Sequence, residues 1–156
     1  MAIALTVNGV AHSVDVPETT TLLDVLRNRL GLMGTRYGCG LEQCGSCVVL
    51  VDGQPAHACT REVGTVAGRS VATVEGLGSA EKPHPIQQAF LDEQAGQCGY
   101  CLSGIVMSTK ALLDRNPNPS RADIVAALDK HLCRCGAHQR ILRAVERAAA
   151  SLRGAA

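Results

Sequence analysis

Eight cysteines, sorted by their spacing into two sets of four, constrain this chain of 156 residues more than any other feature. The first set is Cys39, Cys44, Cys47 and Cys59, a C-x4-C-x2-C run followed by one distant cysteine. The second is Cys98, Cys101, Cys133 and Cys135, two close pairs that only folding can bring together. No cysteine is left over. Such a chain must wrap its backbone around two thiol centres and fit its apolar core around both.

That core has to be aliphatic. Hydrophobic residues make up 46% of the chain, yet Phe90, Tyr37 and Tyr100 are its only aromatics and tryptophan is absent. The charge balance, 15 basic against 14 acidic residues, leaves no electrostatic footprint for a polyanion. With base-stacking aromatics also missing, nucleic acid is excluded as an expected partner. The N-terminal stretch lacks a basic region followed by an apolar one, so it does not read as a signal peptide. No apolar run approaches the ~20 residues that span a bilayer, and no transmembrane segment is expected. The expected location is the cytoplasm, with any membrane association supplied by a partner. Thiols stay reduced there, which favours metal binding over four disulfides.

The pattern changes character near residue 76. Before it, Ile3–Val7 and Val10–Val16 flank Asn8-Gly9, a hairpin signal, and Asp52-Gly53 marks a second hairpin between Val48–Val51 and Ala56–Thr60. Thr21, three residues ahead of Asp24, starts a short helix carrying Leu22, Leu23, Val25 and Leu26. Val71–Val74 completes a small half-open sheet with one helix, the outline of a β-grasp. Gly76, Gly78, Ser79, Pro83 and Pro85 then crowd together without periodicity. Beyond them the apolar period becomes 3.6. A helix starts at Pro85 and runs to about Gln94. Leu102, Ile105, Val106, Thr109, Leu112 and Leu113 stripe a second, Ser120 with Asp123 caps a third, and Ile141, Leu142, Val145, Ala148 and Leu152 line a fourth. The expected fold is α+β: a β-grasp domain over residues 1–76, then a four-helix domain over 77–156.

The first thiol set matches the ligand spacing of plant-type 2Fe–2S ferredoxins. Tyr37-Gly-Cys-Gly-Leu-Glu-Gln-Cys-Gly-Ser-Cys47 supplies three thiols, with glycines that let the backbone wrap closely around a cluster. Structural zinc sites usually pair two close couples of ligands, whereas Cys59 arrives alone, from what reads as a strand. The second set leaves a choice. Cys98-Gly-Tyr-Cys101 could be half of a zinc site or a redox pair, but Cys133-Arg-Cys135 is too short for either habit, and both pairs precede helices whose N-termini favour an anionic centre. The five histidines, His12, His57, His84, His131 and His138, show no metal spacing. Arg140, Arg143 and Arg147 share one helix face, read as solvated in preference to a docking strip. Ser46 and Ser103 read as hydrogen-bonding residues. No catalytic constellation and no phosphate-binding glycine loop is present.

Gln97-Cys-Gly-Tyr-Cys-Leu-Ser-Gly104 and Leu132-Cys-Arg-Cys-Gly136, together with the Tyr37–Cys47 string, resemble the small iron–sulfur subunit of the molybdenum hydroxylases of the xanthine dehydrogenase family. The likeness covers essentially the whole chain. It implies a ferredoxin-like domain followed by a four-helix bundle, each with one 2Fe–2S cluster. It also implies a molybdopterin cofactor held by a large partner subunit, with Gln97 and Cys135 contacting the pterin and the Cys39 set passing electrons outward. Many relatives have proline where Ser103 stands, and Thr-Gly-Tyr where this chain has Gly136-Ala137-His138. That pattern, with Glu75-Gly-Leu-Gly, resembles the subgroup acting on N-heteroaromatics such as nicotinate or isoquinoline, close to molybdenum aldehyde dehydrogenases. The expected acceptor is a cytochrome c, with flavin as the alternative. The rival readings are a stand-alone two-cluster carrier and a zinc-stabilised interaction module.

Overall fold

The computed structural model describes residues 2–155. Its first half is a five-stranded sheet in the order β2-β1-β5-β3-β4, formed by β1 (Ala2–Val7), β2 (Val10–Asp15), β3 (Val48–Val51), β4 (Gln54–His57) and β5 (Ser70–Ala72). Both hairpin turns sit where the sequence puts them, with Asn8-Gly9 and Asp52-Gly53 all at positive φ. β1 pairs in parallel with β5 through Thr6 and Val7, and this long-range pairing closes the grasp. Ile3, Leu5 and Val7 alternate inward. They pack on Leu22, Leu23, Val25 and Leu26 of the helix beneath the sheet.

That helix begins as expected, with the Thr21 hydroxyl accepting from the Asp24 N–H at 3.2 Å. After one turn (α1, Leu22–Asp24) it widens into a π-helical turn over Val25–Arg29, closed by the Leu30 N–H on the Val25 carbonyl. The widened turn carries Arg27 to the carbonyls of Met33 and Thr35, at 2.8 and 2.7 Å. The helix thereby pins the start of the glycine-rich segment that leads into the first cysteines. Strand β5 is shorter than the 71–74 reading, since the chain turns at Val74–Gly76 into a 3-10 helix.

The second half comprises α2 (Pro85–Asp92), α3 (Leu102–Arg115), α4 (Arg121–Leu128) and α5 (His138–Gly154). Their apolar stripes meet in one cluster containing Ile86, Phe90, Ile105, Leu112, Ile124, Ile141 and Val145. Ser120 and Asp123 form the expected capping box on α4. The arginine face of α5 is not simply solvated. Arg143 and Arg147 pair with Glu93 and Asp92, tying α5 to the end of α2. The halves are joined by a smaller apolar seam in which Val48 and Leu50 of β3 meet Met107 and Ala111 of α3.

His84 caps α2. Its Nδ1 accepts the Ile86 N–H at 3.2 Å, while the Gln87 side chain accepts the His84 N–H at 2.9 Å. Burial, and after it the Lys110 charge, hold the imidazole below the ordinary histidine range, against a smaller opposing pull from Asp114. A depressed folded pKa means the cap is whole above the unfolded value, ~6.5, and is lost as pH falls below it. Hydrogen exchange of the Phe90 amide should therefore quicken as pH drops from 7 to 5, beyond the intrinsic rate change, by about 1 kcal/mol of cap stability. His84→Asn, which caps without titrating, should abolish the extra acceleration. Parallel pH profiles in the two proteins would refute the assignment.

Candidate metal centres

Cys39, Cys44 and Cys47 lie on an irregular loop between the π-helical turn and β3. Backbone donors point at its sulfurs: Leu41 and Gln43 N–H to Cys39 Sγ, both at 3.3 Å, and Cys39 N–H to Cys44 Sγ at 3.3 Å. These bonds favour a thiolate, and they draw Cys39 down to about 7, the Leu41 N–H first among them. The Cys44 thiol also meets Ser46 Oγ at 3.6 Å, the hydrogen-bonding role expected of that serine. Cys59 is not on a strand. β4 ends at His57, because the Ala58 N–H is taken by the Cys47 carbonyl and the Ala58 carbonyl by the Leu23 N–H, so Cys59 sits in the turn beyond. Thr60 donates to the Glu42 carboxylate and holds this turn against the cysteine loop. Glu42 is one of four non-glycine residues at positive φ among the described residues, a conformation the loop imposes.

The second set stands at the opposite side of the seam. Cys98 is exposed and Cys101 forms the N-cap of α3, while Cys133 and Cys135 precede α5. The Tyr100 N–H donates to Cys98 Sγ at 3.5 Å, and this bond leads the causes holding the Cys98 thiol below the usual range. The Ser103 hydroxyl, expected to hydrogen-bond, is buried without a partner.

All eight cysteines are free thiols, and within each set they meet two by two: Cys39 with Cys44, Cys47 with Cys59, Cys98 with Cys135 and Cys101 with Cys133. Among the described residues no three His, Cys, Asp or Glu side chains converge as one ion would require. Two thiols for each of two irons is the donor arrangement of a binuclear cluster. Electrostatics agree with that donor set. Burial first, and the facing Cys59 and Cys133 thiols next, push Cys47 and Cys101 up to about 12. Four thiolates packed this way repel one another and lose hydration, so only a cationic centre among them makes the ionised set stable.

The two sets are held to each other by bonds to backbone carbonyls. The Leu132 N–H donates to the Cys44 carbonyl at 3.1 Å, and the Tyr100 hydroxyl to the Tyr37 carbonyl at 2.5 Å. Arg36 lies over the Tyr100 ring, 5.1 Å from its centroid. Gly104, in the first turn of α3, packs so closely on the Gly45 carbonyl that a Cβ there would overlap it. The His131 ring likewise occupies the space of a Gly45 side chain. His131 is buried, its Nε2 is 2.7 Å from Ser108 Oγ, and burial lowers its pKa to about 4, so the pin is neutral. Sequence spacing gave no sign of this histidine. A glycine inside the helical stripe at 104 was the available hint of close packing.

One thiol set lies in a β-grasp and the other in a four-helix unit, and the donors they present suit a two-cluster iron–sulfur protein. Family models agree: residues 5–69 match a 2Fe-2S iron-sulfur cluster binding domain and residues 73–146 a [2Fe-2S] binding domain. One of the nicotinate dehydrogenase subunits of Pseudomonas putida is 54% identical over 151 residues, 97% of this chain and 96% of that one. The alpha subunit of isoquinoline 1-oxidoreductase from Brevundimonas diminuta is 50% identical over 135 residues, 86% of this chain and 88% of the relative. Among solved structures, the aldehyde oxidoreductase of Desulfovibrio desulfuricans superposes with a TM-score of 0.95 at 43% identity, over 98% of this chain and only 17% of that much longer one. Quinoline 2-oxidoreductase of Pseudomonas putida gives 0.93 at 36% identity, over 99% of this chain and 96% of the matched chain. The chain belongs to the small iron–sulfur subunits of the molybdenum hydroxylases. No helix among the described residues is long and apolar enough to cross a membrane.

The close approach at Gly104 sets a stability test. Gly104→Ala drives a methyl group into the Gly45 carbonyl, a backbone clash with no flexible side chain to yield, and should cost about 3 kcal/mol in denaturant unfolding. Gly68→Ala serves as the control: its φ is +72° with open space around it, so only left-handed strain of about 1–2 kcal/mol is expected. Equal losses at the two sites would show that the Gly104–Gly45 approach contributes nothing.

Proposed function

We propose that Cys39, Cys44, Cys47 and Cys59 hold one 2Fe–2S cluster in a domain of residues 1–76. Cys98, Cys101, Cys133 and Cys135 hold the second in a domain of residues 77–156. The observation that carries this reading is the pairwise meeting of the thiols within both sets. When bound, the clusters carry electrons singly from a molybdopterin centre, held by a large partner subunit, to an acceptor. Gln97, exposed beside Cys98, and Cys135 are the residues assigned to contact with the pterin. The partner docks on the Cys98 side. Tyr37 and Leu41, both exposed, line the rim of the Cys39 set and face the acceptor, for which a cytochrome c is favoured over a flavin subunit. The substrate reading is a nicotinate-like N-heteroaromatic ring, supported by the names of the relatives at 54% and 50% identity. Aldehyde oxidation is the second reading, favoured by the 0.95 superposition on an aldehyde oxidoreductase. The location assigned is the cytoplasm, with membrane attachment only through a partner.

The purified chain should contain about four irons and four acid-labile sulfides. Cys44→Ala should remove one EPR-active cluster and leave the other spectrum intact. Stoichiometric zinc and a colourless protein would overturn the cluster assignment. Gln97→Ala should slow reduction of the Cys98-set cluster in the complex by the loss of about 1–3 kcal/mol of hydrogen bonding, with iron content unchanged. Wild-type turnover in that variant would reduce Gln97 to a structural residue. Assays of the native complex with nicotinate, isoquinoline and short aldehydes separate the substrate readings, and turnover of aldehydes alone would establish the second.

A further inference from the structure

We propose that the groove bounded by Gly78, Ser79, Ala80 and Pro83, α2 and the first turns of α3 seats a segment of the large partner subunit that presents an apolar side chain and, beside it, a carboxylate that pairs with Arg140. This inference rests on the function proposed above and states what the partner brings to the Cys98 side.

The groove has a volume of about 760 Å3 and lies open to solvent. Phe90, Leu102 and Val106 give it an apolar floor. Leu91 stands on its rim 65% exposed, a large apolar side chain that nothing within the chain covers. One end runs out at Gln97 and Cys98, so whatever fills the groove also abuts the second thiol set. A pocket for a small molecule encloses most of its ligand, whereas an open trough of this size suits a piece of chain anchored elsewhere.

Arg140 supplies the polarity. Apart from the Cys98 thiol at one end, it is the only ionisable side chain among the described residues that line the groove, and it is half-buried there. On the same helix Arg143 and Arg147 are answered by Glu93 and Asp92. Arg140 has no carboxylate partner among the described residues. A guanidinium cannot shed its charge, so a half-buried one without a counter-ion makes its surface selective for an anion. In an apolar trough that anion has to arrive attached to an apolar body. A carboxylate set beside an aliphatic or aromatic anchor satisfies both walls, and a uniformly basic or uniformly polar segment satisfies neither.

The test uses the native complex purified through this chain. A photo-crosslinking residue at position 91, in an otherwise wild-type chain, should give an adduct with the large subunit whose attached peptide contains Asp or Glu within a few residues. Arg140→Glu should weaken the complex by at least ~10-fold at low salt, with Arg140→Lys largely sparing it and the difference shrinking as salt is raised. Circular dichroism and iron content verify that each variant is folded. If the large subunit co-purifies but position 91 links to nothing on it, the groove assignment is wrong and the proposed function stands. Adducts at position 91 together with unchanged affinity for Arg140→Glu would reject the carboxylate. A chain that co-purifies with no large subunit overturns both readings.

Discussion

The contact on which the rest of this structure depends is the touch of backbone on backbone between Gly104 and Gly45. One lies in the first turn of α3, the other in the loop that carries the first cysteines. Because neither has a side chain, the helix capped by Cys101 can lie directly on the peptide unit that follows Gly45. The Leu132 N–H then reaches the Cys44 carbonyl, and the His131 ring closes over Gly45. Two thiol centres are thereby fixed relative to each other by main-chain atoms, which bend far less than side chains do.

The seam explains how an aliphatic protein supports two irregular loops. Loops with unpaired backbone groups are costly to bury, and here many of the inward-facing N–H groups have a sulfur or a carbonyl to meet. The apolar patch of Val48, Leu50, Met107 and Ala111 excludes water from the same interface. His131 adds a neutral polar contact to Ser108 in place of a charged one, which avoids burying an ion between the two halves.

Much of this was legible in the amino-acid sequence, for physical reasons that differ from part to part. Hairpins at Asn8-Gly9 and Asp52-Gly53 need positive φ, and the residues that tolerate it announce themselves. The helical stripes are set by a periodicity that burial enforces. Cys59 was misplaced onto a strand because β-propensity continues past His57, while the bonds that end β4 come from Cys47 and Leu23, both remote in sequence. The π-helical turn at Val25–Arg29 leaves no mark in the apolar pattern, because what accompanies it is polar: Arg27 reaches the carbonyls of Met33 and Thr35 in the segment that follows. Arg143 and Arg147 looked solvated because their acidic partners belong to another helix.

The seam also bears on how such a unit can be rearranged between genes. The halves look separable, since each has its own apolar cluster and the stretch from Gly76 to Pro85 would make a natural cut. Yet a cut there would strip Gly45 of its facing helix and leave Gly104 and His131 packed against nothing. The unit can be moved only whole. Accordingly it fills nearly all of a separate chain in quinoline 2-oxidoreductase and a 17% portion of one long chain in aldehyde oxidoreductase, with the same superposable shape in both. Fusion and fission act at its borders, and the interlocked glycines keep them from acting in its middle.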